Sequence, residues 1–142
     1  MHFHILFIYC LIISSMKKVI LDTNFIMNCV SQKIDFFHDI KMMGIQILIP
    51  KQVLNELKRI SRSSKKFHFR EDAMLSLRII DSNKENYKII DVSKYGKTTD
   101  NGIRNYSEKN KDVIIATLDR GIKKKTGKEK MVIRGRKKID IL

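Results

Sequence analysis

Four acidic residues, Asp22, Glu56, Asp100 and Asp119, fall where alternating strands and helices would carry them to one end of a parallel sheet. Asp22 ends the apolar run Val19-Ile20-Leu21 and is followed at once by Thr23-Asn24, which places it at the carboxyl end of a first strand. Asp119 repeats that arrangement after Val113-Ile114-Ile115-Ala116-Thr117, with Leu118 between. In a chain of formal net charge +14, acids gathered at one sheet edge repel each other unless cations sit between them, so the pattern points to a metal site. Each acid also has a simpler reading on its own. Asp22 and Asp119 would cap the helices that follow, Asp100 would favour a helix dipole, and Glu56 would pair with Arg59 at i+3.

The elements that must position these acids are readable in outline. After the strand ending at Leu21, Thr23 to Val30 and Ile34 to Met43 read as short helices, the second ended by Gly44. Ile45 to Ile49 reads as a buried strand, and Pro50 takes a first-turn position in a helix from Lys51 to Ile60. Ser61 to Phe69 reads as a basic polar stretch. A helix from Arg70 to Ser82 should bury Ala73, Leu75, Leu77, Ile79 and Ile80, and Tyr87 to Val92 should form the next strand. Thr98 or Thr99 caps a helix to about Lys109, Asp112 to Thr117 is a strand, and Asp119 to Lys125 a last helix. Met131 to Arg134 and Lys137 to Ile141 close the chain as strands. The fold class expected is α/β, a mainly parallel sheet with helices on both faces.

At 142 residues the chain is expected to form one domain, with no repeat and no Pro-rich or Gly/Ser-rich linker. Cys10 and Cys29 lack metal-ligand spacing and stand apart, which excludes a zinc site or a disulfide framework and suits a reducing cytoplasm. The excess of 29 Lys+Arg over 15 Asp+Glu makes a polyanion the default partner, nucleic acid before membrane. Residues 1–15 do not fit the rest. Phe3 to Ile13 is nearly all apolar, too short to span a bilayer, and lacks the basic flank of a signal peptide. The division expected is an apolar extension over residues 1–15, upstream of a start at Met16, and a folded domain over residues 16–142.

Taken together, Val19-Ile20-Leu21-Asp22-Thr23-Asn24, Val53-Leu54-Asn55-Glu56-Leu57-Lys58, Thr99-Asp100-Asn101-Gly102-Ile103 and Ala116-Thr117-Leu118-Asp119-Arg120 resemble the PIN-domain nucleases. The resemblance covers nearly all of the chain from Lys17 to Leu142. The closing strand and basic hairpin look most like the archaeal branch related to ribosomal-RNA-processing nucleases and VapC-type toxins. It implies that Asp22, Glu56, Asp100 and Asp119 hold one or two Mg²⁺ or Mn²⁺ ions and hydrolyse RNA internally. Thr23, Asn24 and Thr117 would be the supporting polar residues. The implied partners are RNA and either a protein antitoxin or a ribosome-assembly factor, with a homodimer compatible and no stable membrane association.

Basic residues gather after two of the acids. Lys58, Arg59, Arg62, Lys65, Lys66 and Arg70 follow Glu56, while Arg120, Lys123, Lys124, Lys125, Lys128, Lys130 and Arg134 to Lys138 follow Asp119. Such runs are commonly solvated faces, but here they read as grips on an RNA backbone, with Tyr95, Tyr106, Phe67 and Phe69 able to stack on bases. His2, His4, His38 and His68 belong to no acidic set. Two other readings compete. One is a PIN-type RNA-binding module with weak chemistry. The other is a dehalogenase-like phosphatase, which wants a second Asp two residues after the first, where this chain has Asn24.

Overall fold

The computed structural model describes residue 5 and residues 17–118, 129–135 and 137–142. Asp119, Arg120, Lys123, Lys124, Lys125, Cys10 and the expected helix from Asp119 to Lys125 lie outside the described residues. Along the chain come β1 (Lys18–Leu21), α1 (Thr23–Ser31), α2 (Phe36–Met42), β2 (Gln46–Pro50), α3 (Lys51–Ser63) and α4 (Phe67–Asp81). They are followed by β3 (Tyr87–Ile90), α5 (Thr99–Lys109), β4 (Val113–Ala116), β5 (Lys130–Arg134) and β6 (Lys138–Ile141), with short 3-10 turns on either side of β3.

The strands form one sheet in the order β3-β2-β1-β4-β5-β6. All pairings are parallel except the last hairpin, β5 with β6. The central strand is β1. Its Val19, Ile20 and Leu21 have no exposed surface, as a strand covered on both faces requires. Val19, Ile20 and Leu21 stand beside Ile114, Ile115 and Ala116 of β4, so both strands finish at the same level. The chain moves from β1 to β2 in one direction across the sheet and from β4 to β5 in the other, making the gap beyond β1 and β4 a topological switch point, where open α/β sheets bind ligands.

Several boundaries differ from the sequence reading. The basic stretch from Ser61 to Phe69 is mostly helical: α3 runs on to Ser63 and α4 begins at Phe67. The serines in the last turns of α3 are satisfied within the helix, Ser61 Oγ donating to Lys58 O and Ser63 Oγ to Arg59 O, each at 2.7 Å. Leu75 is 46% exposed, and Ser76 takes the buried place, its hydroxyl satisfied by Asp72 O at 2.6 Å. Pro50 ends β2 and directly precedes α3. Cys29 is buried, which with the nearby Asp39 charge pushes its thiol up to about 12 and leaves it a packing residue. Among the described residues no helix is long and apolar enough to cross a membrane.

Candidate active site

Asp22 caps α1. Its Oδ1 accepts from the backbone N–H of Asn24 at 2.6 Å and of Phe25 at 3.3 Å. The capping role is therefore real, and it leaves Oδ2 outside those bonds. Capping also fixes the carboxyl group at the carboxyl end of β1. Thr23, the first residue of α1, is buried and donates its hydroxyl to Glu56 Oε2 at 2.9 Å, tying the start of α1 to the second turn of α3. Glu56 forms no pair with Arg59. The simple i+3 reading of that acid does not hold.

Asp100 reaches the same edge from the other side of the chain. Thr98 is the N-cap of α5, its Oγ1 accepting from Asn101 N at 3.2 Å, so Asp100 lies in the first helical turn. A close contact sets that helix in place: a Cβ at Gly102 would come within 2.6 Å of Val92 O. Only a glycine lets the first turn of α5 lie against the chain that leaves β3. On the α3 side, Asp91 anchors the frame, accepting from Ser93 N at 2.9 Å and Gln52 Nε2 at 2.6 Å and meeting Lys51 Nζ at 2.9 Å. The Ser93 hydrogen bonds, then those from Lys51 and Gln52, hold its carboxyl well below the usual carboxylate range.

Two of the four acids, Asp22 and Asp100, line a recess of about 280 Å³ together with Asn24, Ile103, Arg104, Ile115, Thr117 and Leu118. It opens at the switch point between β1 and β4. Four of the residues singled out in the sequence line it: Asp22, Asn24, Asp100 and Thr117. Glu56 stands behind Thr23 instead. Burial pushes the Asp22 carboxyl above its ordinary value of 3.8, the Phe25 and Asn24 hydrogen bonds oppose that rise, and the Asp100 and Glu56 charges add to it. Among the described residues no three His, Cys, Asp or Glu side chains form a group able to hold a metal ion. A larger groove of about 510 Å³ lies between Ile34, Phe36 and α4 and is lined by none of the four acids singled out in the sequence.

Arg104 was not singled out in the sequence, because it belongs to neither basic run. Its signal was its position four residues after Asp100, which puts both on one face of α5. Tyr106 packs against the core and meets Tyr95 edge-on at 5.0 Å, with Lys109 Nζ 5.4 Å from the Tyr95 ring. Lys58, Arg59 and Arg62 lie on the exposed surface of α3.

A family model described as a PIN-like domain matches residues 19–138. Ribonuclease VapC4 of Methanocaldococcus jannaschii is 29% identical over 132 residues, which cover 89% of this chain and 97% of that protein. Among solved structures, that of the PIN domain endonuclease Utp24 matches with a TM-score of 0.66 and 25% identity, over 87% of this chain and 90% of the other. With an acid-lined recess at the switch point of a mainly parallel sheet and a family match across most of its length, the chain belongs to the PIN-domain nucleases.

Proposed function

We propose that this protein is a metal-dependent endoribonuclease whose cleavage centre is the recess beyond β1 and β4. The observation that carries the reading is the crowding of carboxylates there. Asp22 is half-buried, feels the charges of Asp100 and Glu56, and has its carboxyl raised by burial, a condition a bound cation relieves. The donors are hard oxygens, which suit Mg²⁺ or Mn²⁺. Asp22, Asp100 and Asp119 would hold one or two such ions, with Glu56 supporting through Thr23. A bound ion supplies charge neutralisation at the phosphate and activation of water.

The chain's own residues do the rest. The capping bonds of α1 hold Asp22 by its Oδ1, and the Thr23 hydroxyl holds Glu56 by its Oε2. Arg104, on the rim beside Asp100, offers a planar donor set to a phosphate oxygen. Ile103, Ile115 and Leu118 make the apolar wall that limits water around the acids. Lys58, Arg59 and Arg62 on α3, together with the sequence-identified cations Arg120, Lys123, Lys124 and Lys125, supply charge for the RNA backbone. The VapC-named ribonuclease and the Utp24 endonuclease support RNA as the substrate.

A cytoplasmic place and a role in RNA processing or as a toxin go with this reading, the partner being an assembly factor in the first case and an antitoxin in the second. The functional domain is residues 16–142, so a chain beginning at Met16 keeps its activity. The test is cleavage of single-stranded RNA with and without Mg²⁺, using Asp22→Asn and Asp119→Asn variants alongside the parent. Cleavage that persists in chelator, or in both variants, overturns the proposal. A catalytically weak RNA-binding module would show salt-sensitive binding with no cleavage at any Mg²⁺ or Mn²⁺ concentration.

A further inference from the structure

The turn between α3 and α4 carries aromatic rings where a buried hairpin would have none. Phe67 is 64% exposed and Phe69 40% exposed, although both open a helix whose later residues Ala73, Ser76 and Ile80 are buried. Each ring has its own cation. Arg70 Cζ lies 5.6 Å from the Phe67 ring centre, and Lys66 Nζ lies 5.3 Å from that of Phe69. The turn itself is held, since Arg70 Nη1 donates to Ser64 O at 2.7 Å, and His68 packs on Phe69 at 4.2 Å between ring centres. Exposed rings kept in place beside positive charge are poor solvent-facing residues and good platforms for bases.

The turn also stands on the side of the molecule that matters. β2 and β3 are parallel, so α4 must bring the chain back to the amino edge of the sheet, and its first turn lies toward the carboxyl edge where the acids are. Its 15 residues make a helix of about 22 Å, against about 17 Å for a strand of β2's five residues, so the turn reaches beyond the sheet. Along α3, Arg59 and Arg62 follow Glu56 by about 4.5 and 9 Å of helix rise, so positive charge runs along this helix from Glu56 toward the rings.

We propose that the α3–α4 turn is a base-stacking platform, with Phe67 and Phe69 each receiving an unpaired base while Lys66, Arg70 and the arginines of α3 hold the intervening phosphates. It rests on the ribonuclease reading and adds to it a binding subsite, apart from the recess, that only unpaired bases can occupy. A duplex presents phosphates to the same cations but keeps its base faces stacked inside, so the rings distinguish the two forms.

The experiment measures binding under chelator, where no cleavage complicates it, of a labelled single-stranded RNA and a blunt duplex of equal length to the full chain. Phe67→Ala and Phe69→Ala should each weaken single-strand binding about tenfold while leaving duplex binding and the salt slope unchanged. Phe67→Tyr and Phe69→Tyr should restore it. Equal losses for both RNAs, or no loss for either, overturn the platform. So does unchanged RNA binding accompanied by loss of self-association, which would make the rings a contact between copies. Ring-dependent single-strand binding by a chain that cleaves nothing in Mg²⁺ would support the platform and remove the nuclease reading, so the two fail separately.

Discussion

The Thr23 hydroxyl donates to Glu56 Oε2 at 2.9 Å across 33 residues of chain, so the residue beside the first acid orients the second. Thr23 is buried while Glu56 is partly exposed, which puts the bond at the lower end for a charged acceptor, about 1.5 kcal/mol. Thr23→Val should lower stability by about that amount and reduce cleavage severalfold, while Thr23→Ser keeps both. Thermal unfolding and single-turnover cleavage would check this. A fully active Thr23→Val would show that Glu56 needs no such support.

The contact of Gly102 with Val92 O gives a prediction opposite to helix propensity. In an open helix Gly→Ala gains about 1 kcal/mol, but here the new Cβ would stand 2.6 Å from a backbone oxygen, and overpacking costs about 1–3 kcal/mol. Gly102→Ala should therefore lower the melting temperature and weaken cleavage by shifting Asp100. A raised melting temperature would contradict the packing argument.

Asp22 makes the metal-free protein's stability depend on pH in a defined direction. Its carboxyl is raised above 3.8 in the folded state, chiefly by burial, so the folded chain binds that proton more tightly than the unfolded one. Stability from this group therefore falls as pH rises from the ordinary value through the raised one, and the full cost is present at neutral pH. Asp22→Asn still caps α1 but removes that cost. In chelator it should melt higher than the parent at pH 7, with the gap closing below pH 4. A gap that stays constant with pH would remove Asp22 as its source.

RNA affinity should be mainly electrostatic and independent of the acids. Each single-strand phosphate contact contributes about 0.7 to the slope of log affinity on log salt, so replacing Lys58, Arg59 and Arg62 by Ala should reduce the slope by about 2. The same holds for Lys123, Lys124 and Lys125. Titrations at several salt concentrations measure it, and an unchanged slope would move the grip elsewhere.

What the sequence disclosed was what burial and capping force. The run Val19-Ile20-Leu21 read as a strand and is the buried central one, and of the two caps offered, Thr98 or Thr99, it is Thr98 that starts the helix carrying Asp100. Residues 61–63 and 67–69 are helical where the sequence reads as a basic polar stretch, because polarity hides a helix whose serines return hydrogen bonds to the carbonyls of Lys58 and Arg59. Leu75 was expected inside because its apolarity fits a helical stripe, yet it lines the surface groove with Val30 and Ile34. Arg104 went unnoticed because a single cation in a chain with 29 Lys+Arg means nothing until the fold sets it beside two acids.

The most direct measurement is cleavage of single-stranded RNA by Asp22→Asn in Mg²⁺, with RNA affinity measured on the same sample under chelator. The recess reading predicts that cleavage falls by at least about a thousandfold, a loss of about 4 kcal/mol in transition-state stabilisation, while affinity stays within about twofold. Cleavage at the parent rate with binding intact would contradict it, and would place the chemistry of this nuclease away from the carboxyl end of β1.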